Sequence, residues 1–238
     1  MENKVGVLVL HGFLGNLKTI EYQVQFFRTQ GFLVEAPTLR GHNTVYTDLD
    51  KVKFTDWIED AESAYKNLSS KANKVFVFGL SMGGALSLHL EAQHPEILGG
   101  ILVNHALSLY PNWKLKFLPI IKYFVKYIYS PGSDIKDKTQ KNLAYEYIPT
   151  GALLEFLRLI SLVKKELPLV TQPQLIFKSI EDHVIPQDSV EITLKSISSK
   201  QKEVVFLKNS YHVATADFDK DIICEKSLEF INKILKEG

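Results

Sequence analysis

The segment Gly79-Leu80-Ser81-Met82-Gly83 sets a serine between two glycines, directly after the apolar run Val75 to Phe78 and just before a helical stretch, Gly83 to Gln93. A nucleophile held on a strained turn between strand and helix needs neighbours without side chains, because a Cβ at Gly79 or Gly83 would strike the adjoining backbone. Such a turn lifts the hydroxyl clear of the sheet, at a helix N-terminus whose free amides favour developing negative charge. The plain alternative is a glycine-rich turn without chemistry. The strand before it and the helix after it favour nucleophilic catalysis.

Serine is a weak nucleophile unless a base, oriented by an acid, takes its proton. A carboxylate is available in Ser179-Ile180-Glu181-Asp182-His183-Val184-Ile185-Pro186, just past the apolar run Leu175 to Lys178. A base is available in Ser210-Tyr211-His212-Val213, just past Val204 to Leu207. Loops at the carboxyl ends of parallel strands are where ligand and catalytic groups gather. Asp182 alone also fits a turn or helix cap, with Glu181 its nearest rival. Among the other histidines, His89 and His94 sit on or just after the helix behind Ser81, and His183 flanks Asp182. His42 follows the second strand, where it lines a site without reaching the serine. His105, after the fourth strand, is the one serious competitor of His212, and the last-strand position favours His212.

A tetrahedral oxyanion needs preorganised donors. The end of the first strand, Leu10-His11-Gly12-Phe13, offers the backbone amide of Phe13, and the residue after the serine offers that of Met82. His11 reads as a side chain bonded to loop backbone.

These loops require a scaffold that delivers them to one edge. Short β-branched and aromatic runs recur at Val5 to Leu10, Leu33 to Ala36, Val75 to Phe78, Ile101 to Asn104, Leu175 to Lys178 and Val204 to Leu207. Between them lie helical periods at Ile20 to Thr29, Trp57 to Leu68, Gly83 to Gln93, Val190 to Ile197 and Ile222 to Leu235. Such alternation predicts an α/β fold with a mostly parallel sheet flanked by helices.

The alternation breaks between Tyr110 and Val170. Two helical patterns stand there, Phe117 to Tyr129 and Leu153 to Leu162, with no strand between them. The expected division is a core of residues 1–110 and 171–238 with a helical cap, or lid, at 111–170. From Trp113 to Tyr129 the cap carries many aromatic residues, four lysines and no acid. An acyl chain is therefore expected against Phe117, Leu118, Ile121 or Phe124, the alternative being that these side chains only dock the cap.

Composition narrows the partners. Of 238 residues 45% are apolar and 23% charged, which excludes disorder and permits a sizeable core. With 28 Lys and Arg against 27 Asp and Glu, the formal charge of +1 gives no reason to expect nucleic acid or an anionic membrane as partner, no stretch approaches the roughly 18 apolar residues that stable membrane insertion requires, and a small molecule is the expected partner. The lone Cys224 rules out an internal disulfide and points to a reducing, cytoplasmic setting. No metal or other cofactor is expected, since no histidine pair has ligand spacing.

Taken together, His11-Gly12-Phe13, Gly79-Leu80-Ser81-Met82-Gly83-Gly84, Glu181-Asp182-His183-Val184-Ile185-Pro186 and Ser210-Tyr211-His212-Val213 resemble the α/β-hydrolase superfamily over nearly the whole chain. The short N-terminus, the Gly132-Ser133-Asp134-Ile135-Lys136 segment and the small cap are similar to the bacterial carboxylesterase and monoacylglycerol lipase group. The resemblance implies a triad of Ser81, Asp182 and His212 with oxyanion amides from Phe13 and Met82. It departs from the group at Tyr211 and at Asn43, where glycine is common. The implied activity is hydrolysis of carboxylic esters with short to medium acyl chains, including monoacylglycerols. Acyl transfer or thioester cleavage by the same triad, and a non-catalytic ligand-binding member, are the alternatives.

Overall fold

The structure, a computed structural model, describes residues 4–130, 132–140 and 143–237. In chain order its core elements begin with β1 (Val5–Leu10), α1 (Glu21–Thr29), β2 (Leu33–Glu35), α2 (Tyr46–Leu49), α3 (Phe54–Ser69), β3 (Lys74–Leu80), α4 (Met82–Gln93) and β4 (Gly99–Val103). There follow α5 (Leu118–Ile121), β5 (Tyr127–Tyr129), β6 (Tyr147–Pro149) and α6 (Thr150–Glu166), and then β7 (Gln174–Ser179), α7 (Asp188–Ser196), β8 (Lys202–Leu207) and α8 (Lys220–Glu237).

Six strands form one parallel sheet in the order β2-β1-β3-β4-β7-β8, all falling where the apolar runs predicted them. Side chains alternate across it with the period of two that a strand imposes. Val75 and Val77 of β3 join the core beneath α3, α4, α6 and α7, whereas Phe76, Phe78 and Leu80 join the core beneath α1 and α8. Both faces are covered, which is why these strands read as continuous apolar runs. Helix α4 is buried on nearly every side, because the sheet lies under it and α3 and α6 pack over it.

The 111–170 segment differs from the expected pair of helices. The pattern from Phe117 to Tyr129 yields a 3-10 turn at Trp113–Phe117, a single α turn at α5, and strand β5. Strand β5 pairs antiparallel with β6 in a separate two-stranded ribbon. The apolar spacing fits a helix, but Pro119 keeps an α-helix from running through from Trp113–Phe117, and Tyr127-Ile128-Tyr129 favours an extended, paired surface. Thr150 fixes the turn between them, its Oγ1 donating to Val125 O at 2.7 Å and its N–H to Lys126 O at 2.9 Å. The second expected helix is present and longer, as α6. No described helix is long and apolar enough to cross a membrane.

Candidate active site

Ser81 sits at the junction of β3 and α4 with φ 56° and ψ −114°, a left-handed backbone that costs a non-glycine residue about 1–3 kcal/mol. Packing enforces the turn. A Cβ on Gly79 would lie 2.3 Å from the Gly83 carbonyl, and one on Gly83 would lie 2.1 Å from Leu10 O. Side chains at either position would push the turn away from the sheet, so the spacing read from the sequence is a steric requirement. The Ser81 N–H donates to Val103 O at 2.9 Å, which pins the turn to β4.

The structure brings Ser81, Asp182 and His212 together from three loops. His212 Nε2 lies 2.9 Å from Ser81 Oγ, and Nδ1 lies 3.1 Å from each oxygen of Asp182. A carboxylate can only accept, so Nδ1 carries the proton and Nε2 is left to receive the serine's. Asp182 Oδ1 accepts the N–H groups of Val184 and Ile185, both at 2.9 Å. Its Oδ2 accepts Lys178 Nζ at 2.5 Å. Burial alone would raise this carboxyl, but the facing imidazole, Lys178 and the Ile185 amide outweigh it and hold Asp182 well below the usual carboxylate range.

Further side chains anchor the histidine loop. Asn104 Nδ2 donates to His212 O at 2.7 Å and to Ser179 Oγ at 2.9 Å, and Asn104 Oδ1 accepts the Ser179 N–H at 2.8 Å. Asp134 Oδ2 accepts the His212 N–H at 3.2 Å, while its Oδ1 takes the His183 ring N–H at 2.9 Å. Asp217 accepts the N–H groups of Lys136, Asp137 and Tyr211. These anchors escaped the sequence reading. The one signal for Asp134 was its place in the segment that resembles the esterase group.

Phe13 and Met82 both flank the serine. Met82 opens α4, so its N–H belongs to the first turn, where no helical carbonyl receives it. Phe13 is held by stacking on Phe156, with centroids 4.9 Å apart, and by edge contacts with Trp57 and His42. His11 donates from Nδ1 to Gly12 O at 3.0 Å and accepts Leu39 N–H at Nε2, as expected of a loop-bonding side chain. His42 is buried behind Phe13 and does not reach the serine. His105, the competitor, is turned away to Thr193 Oγ1 at 2.6 Å.

A cavity of about 360 Å³ opens over Ser81 and His212. Its apolar wall includes Leu115, Ile148, Leu153 and Phe156, and its polar side includes Ser133 and Asp134. Phe117, Leu118, Ile121 and Phe124 are not on that wall. Leu118 is buried, whereas Phe117 and Phe124 are 50% and 83% exposed, because the helix that would have aimed them inward ends after one turn. Tyr211, in place of the common glycine, packs edge-on against His183 at 4.6 Å, and Asn43 adopts φ 57°, a conformation asparagine tolerates.

The sequence model of the family described as "Serine aminopeptidase, S33" matches residues 2–219. The chain is 40% identical over 236 residues to a thermostable monoacylglycerol lipase of Bacillus sp. (strain H-257), covering 96% of this chain and 91% of that one. It is 24% identical over 229 residues to a carboxylesterase of Bacillus subtilis (strain 168), covering 96% and 92%. Among solved structures it is similar to one reported for LipS and LipT, two metagenome-derived lipolytic enzymes, with a TM-score of 0.93 and 37% identity over 97% of this chain and 94% of that one.

Proposed function

The chain belongs to the α/β-hydrolase family described as serine aminopeptidase S33, and from that membership we propose that it is a carboxylic-ester hydrolase acting through a Ser81 acyl-enzyme on monoacylglycerol-like substrates. The observation that carries the reading is the continuous contact from Ser81 Oγ through His212 to Asp182 beneath a largely apolar cavity. Ser81 attacks the ester carbonyl while His212 Nε2 takes its proton, and the amides of Phe13 and Met82 receive the oxyanion. His212 then protonates the leaving alcohol, and water activated by the same imidazole releases the acid.

Ester is favoured over peptide because the carboxylate on the cavity wall, Asp134, is already occupied by the His183 and His212 N–H groups rather than free to pair a substrate ammonium. The names of the relatives agree. The acyl chain lies along Leu115, Ile148, Leu153 and Phe156 instead of the four cap residues expected from the sequence. At the polar side, Ser133 Oγ is buried without a partner among the described residues and suits a hydroxyl of the alcohol. In this reading the 111–170 segment is the lid over the core, and the setting is cytoplasmic.

A serine-directed fluorophosphonate followed by mass mapping, with a graded ester series that includes monoacylglycerols and an amino-acid anilide, tests the proposal. The expected result is an adduct on Ser81 and turnover of esters but not the anilide. An adduct elsewhere, or anilide turnover without ester turnover, overturns it.

A further inference from the structure

Lys178 is a lysine in the interior, 2% exposed, on a strand whose neighbours are apolar. Its Nζ donates to Asp182 Oδ2 at 2.5 Å and to Ile185 O at 2.7 Å. Burying an ammonium is costly unless it is paired, and here the pairing partner is the acid of the proposed relay. That acid thus receives donors on both oxygens, two amides on Oδ1 and Lys178 on Oδ2, with the His212 N–H placed equally, 3.1 Å from each.

We propose that Lys178 is a positioning residue of the relay, its ammonium fixing the Asp182 carboxylate while weakening that carboxylate's hold on a protonated His212. The inference rests on the triad reading above. A carboxylate facing an imidazole favours the charged ring, and a cation within about 6 Å opposes it. Lys178 therefore offsets part of what Asp182 does, and the base stays free to accept the serine proton at lower pH.

The other charged groups around the relay do not supply this offset. Asp134 adds negative charge from the lid side through the His212 backbone N–H. Glu181 is paired with Lys136 at the surface, 2.9 Å away. His183 is bound to Asp134, and Tyr110 donates its hydroxyl to the Asp182 backbone carbonyl. Asp188, at the start of α7, adds a further negative charge beside Tyr110. His105, beneath Lys178, is held neutral, pushed down to about 4 by burial and by the lysine's own charge. Lys178 is the positive charge in direct contact with the relay.

Lys178→Gln keeps a donor toward Asp182 and removes the charge. The pH profile of kcat/KM for a soluble ester is the readout, with circular dichroism to establish folding. The acid limb is expected to move to higher pH by about one unit, since one nearby charge typically moves a titration by 1–3 units. Lys178→Met should move it the same way. An unmoved limb, or one displaced to lower pH, overturns the proposal. A merely structural lysine would lower the whole profile without shifting it. Should neither variant fold, Lys178→Arg keeps the charge and its limb is expected at the wild-type position; a displaced limb overturns the proposal. A wild type that hydrolyses no ester and takes no fluorophosphonate removes the triad reading, and Lys178 with it; an active wild type with an unmoved limb removes Lys178 alone.

Discussion

The Phe13 ring stacks on that of Phe156, centroids 4.9 Å apart and planes 20° apart, joining the loop after β1 to the helix that walls the cavity. The amide proposed to receive the oxyanion is thus positioned by a residue of the 111–170 segment. Phe156→Leu should keep the fold but loosen that amide. We expect kcat to fall several-fold with little change in KM for a short ester. Equal loss in both constants would detach the oxyanion loop from α6.

Chain-length preference should follow the cavity wall. Leu153→Trp fills the cavity beside Phe156 and is expected to raise KM for long acyl esters while leaving acetate esters unaffected. Phe124→Ala, at an exposed ring, should change neither. A graded series of p-nitrophenyl esters makes the comparison, and sensitivity to Phe124 alone would return the acyl chain to the outer face of the 111–170 segment.

The serine turn tolerates no methyl group at Gly79. Gly79→Ala forces a Cβ to 2.3 Å from the Gly83 backbone and should cost at least about 2 kcal/mol in urea unfolding, with activity lost. Gly31→Ala meets open space, so the penalty is only the strain of a side chain at φ 85°, about 1 kcal/mol. Equal costs at the two glycines would contradict the steric account.

Glu91 lies wholly buried on α4, its Oε1 accepting Gln174 Nε2 at 2.6 Å. Burial pushes its carboxyl up to about 8, with Gln174 opposing. A carboxyl raised on folding contributes stability that is complete below its unfolded value of ~4.5 and is lost as pH rises toward about 8. The melting temperature should therefore fall between pH 5 and 8, at about 2–4 °C for each kcal/mol lost. Glu91→Gln should flatten that slope, and an equal slope in both proteins would place the loss elsewhere.

On the acid side, burial pushes His11 down to about 4, His42 to about 3 and His105 to about 4. A base lowered on folding makes the native state lose stability as pH falls below ~6.5, because the unfolded chain takes up the protons first. The urea midpoint should drop steadily from pH 6.5 toward 4. In His42→Phe, which keeps an aromatic ring beside Phe13 and Trp57, the drop should be shallower.

The parallel sheet was legible because its central strands are covered on both faces, which forces an apolar run such as Val75 to Phe78. The candidate triad was legible for a related reason. Ser81, Asp182 and His212 each lie just past such a run, and glycine at 79 and 83 is demanded by contacts closer than a Cβ permits. The stretch from Phe117 to Tyr129 was not legible. Its helical spacing is real, but pairing of Tyr127–Tyr129 with Tyr147–Pro149 prevails, and that partner lies beyond the reach of a local pattern.

From the order of its residues alone, this protein is committed to a parallel sheet that presents a serine, an acid and a histidine on loops at one edge, since burial and backbone sterics act locally and leave a periodic trace. The tertiary structure decided the distances and the neighbours. The imidazole's reach to Ser81 Oγ, Asn104 and Asp134 beneath the histidine loop, and the side chains on the cavity wall all depend on segments dozens of residues apart, and only the packed chain brings these together.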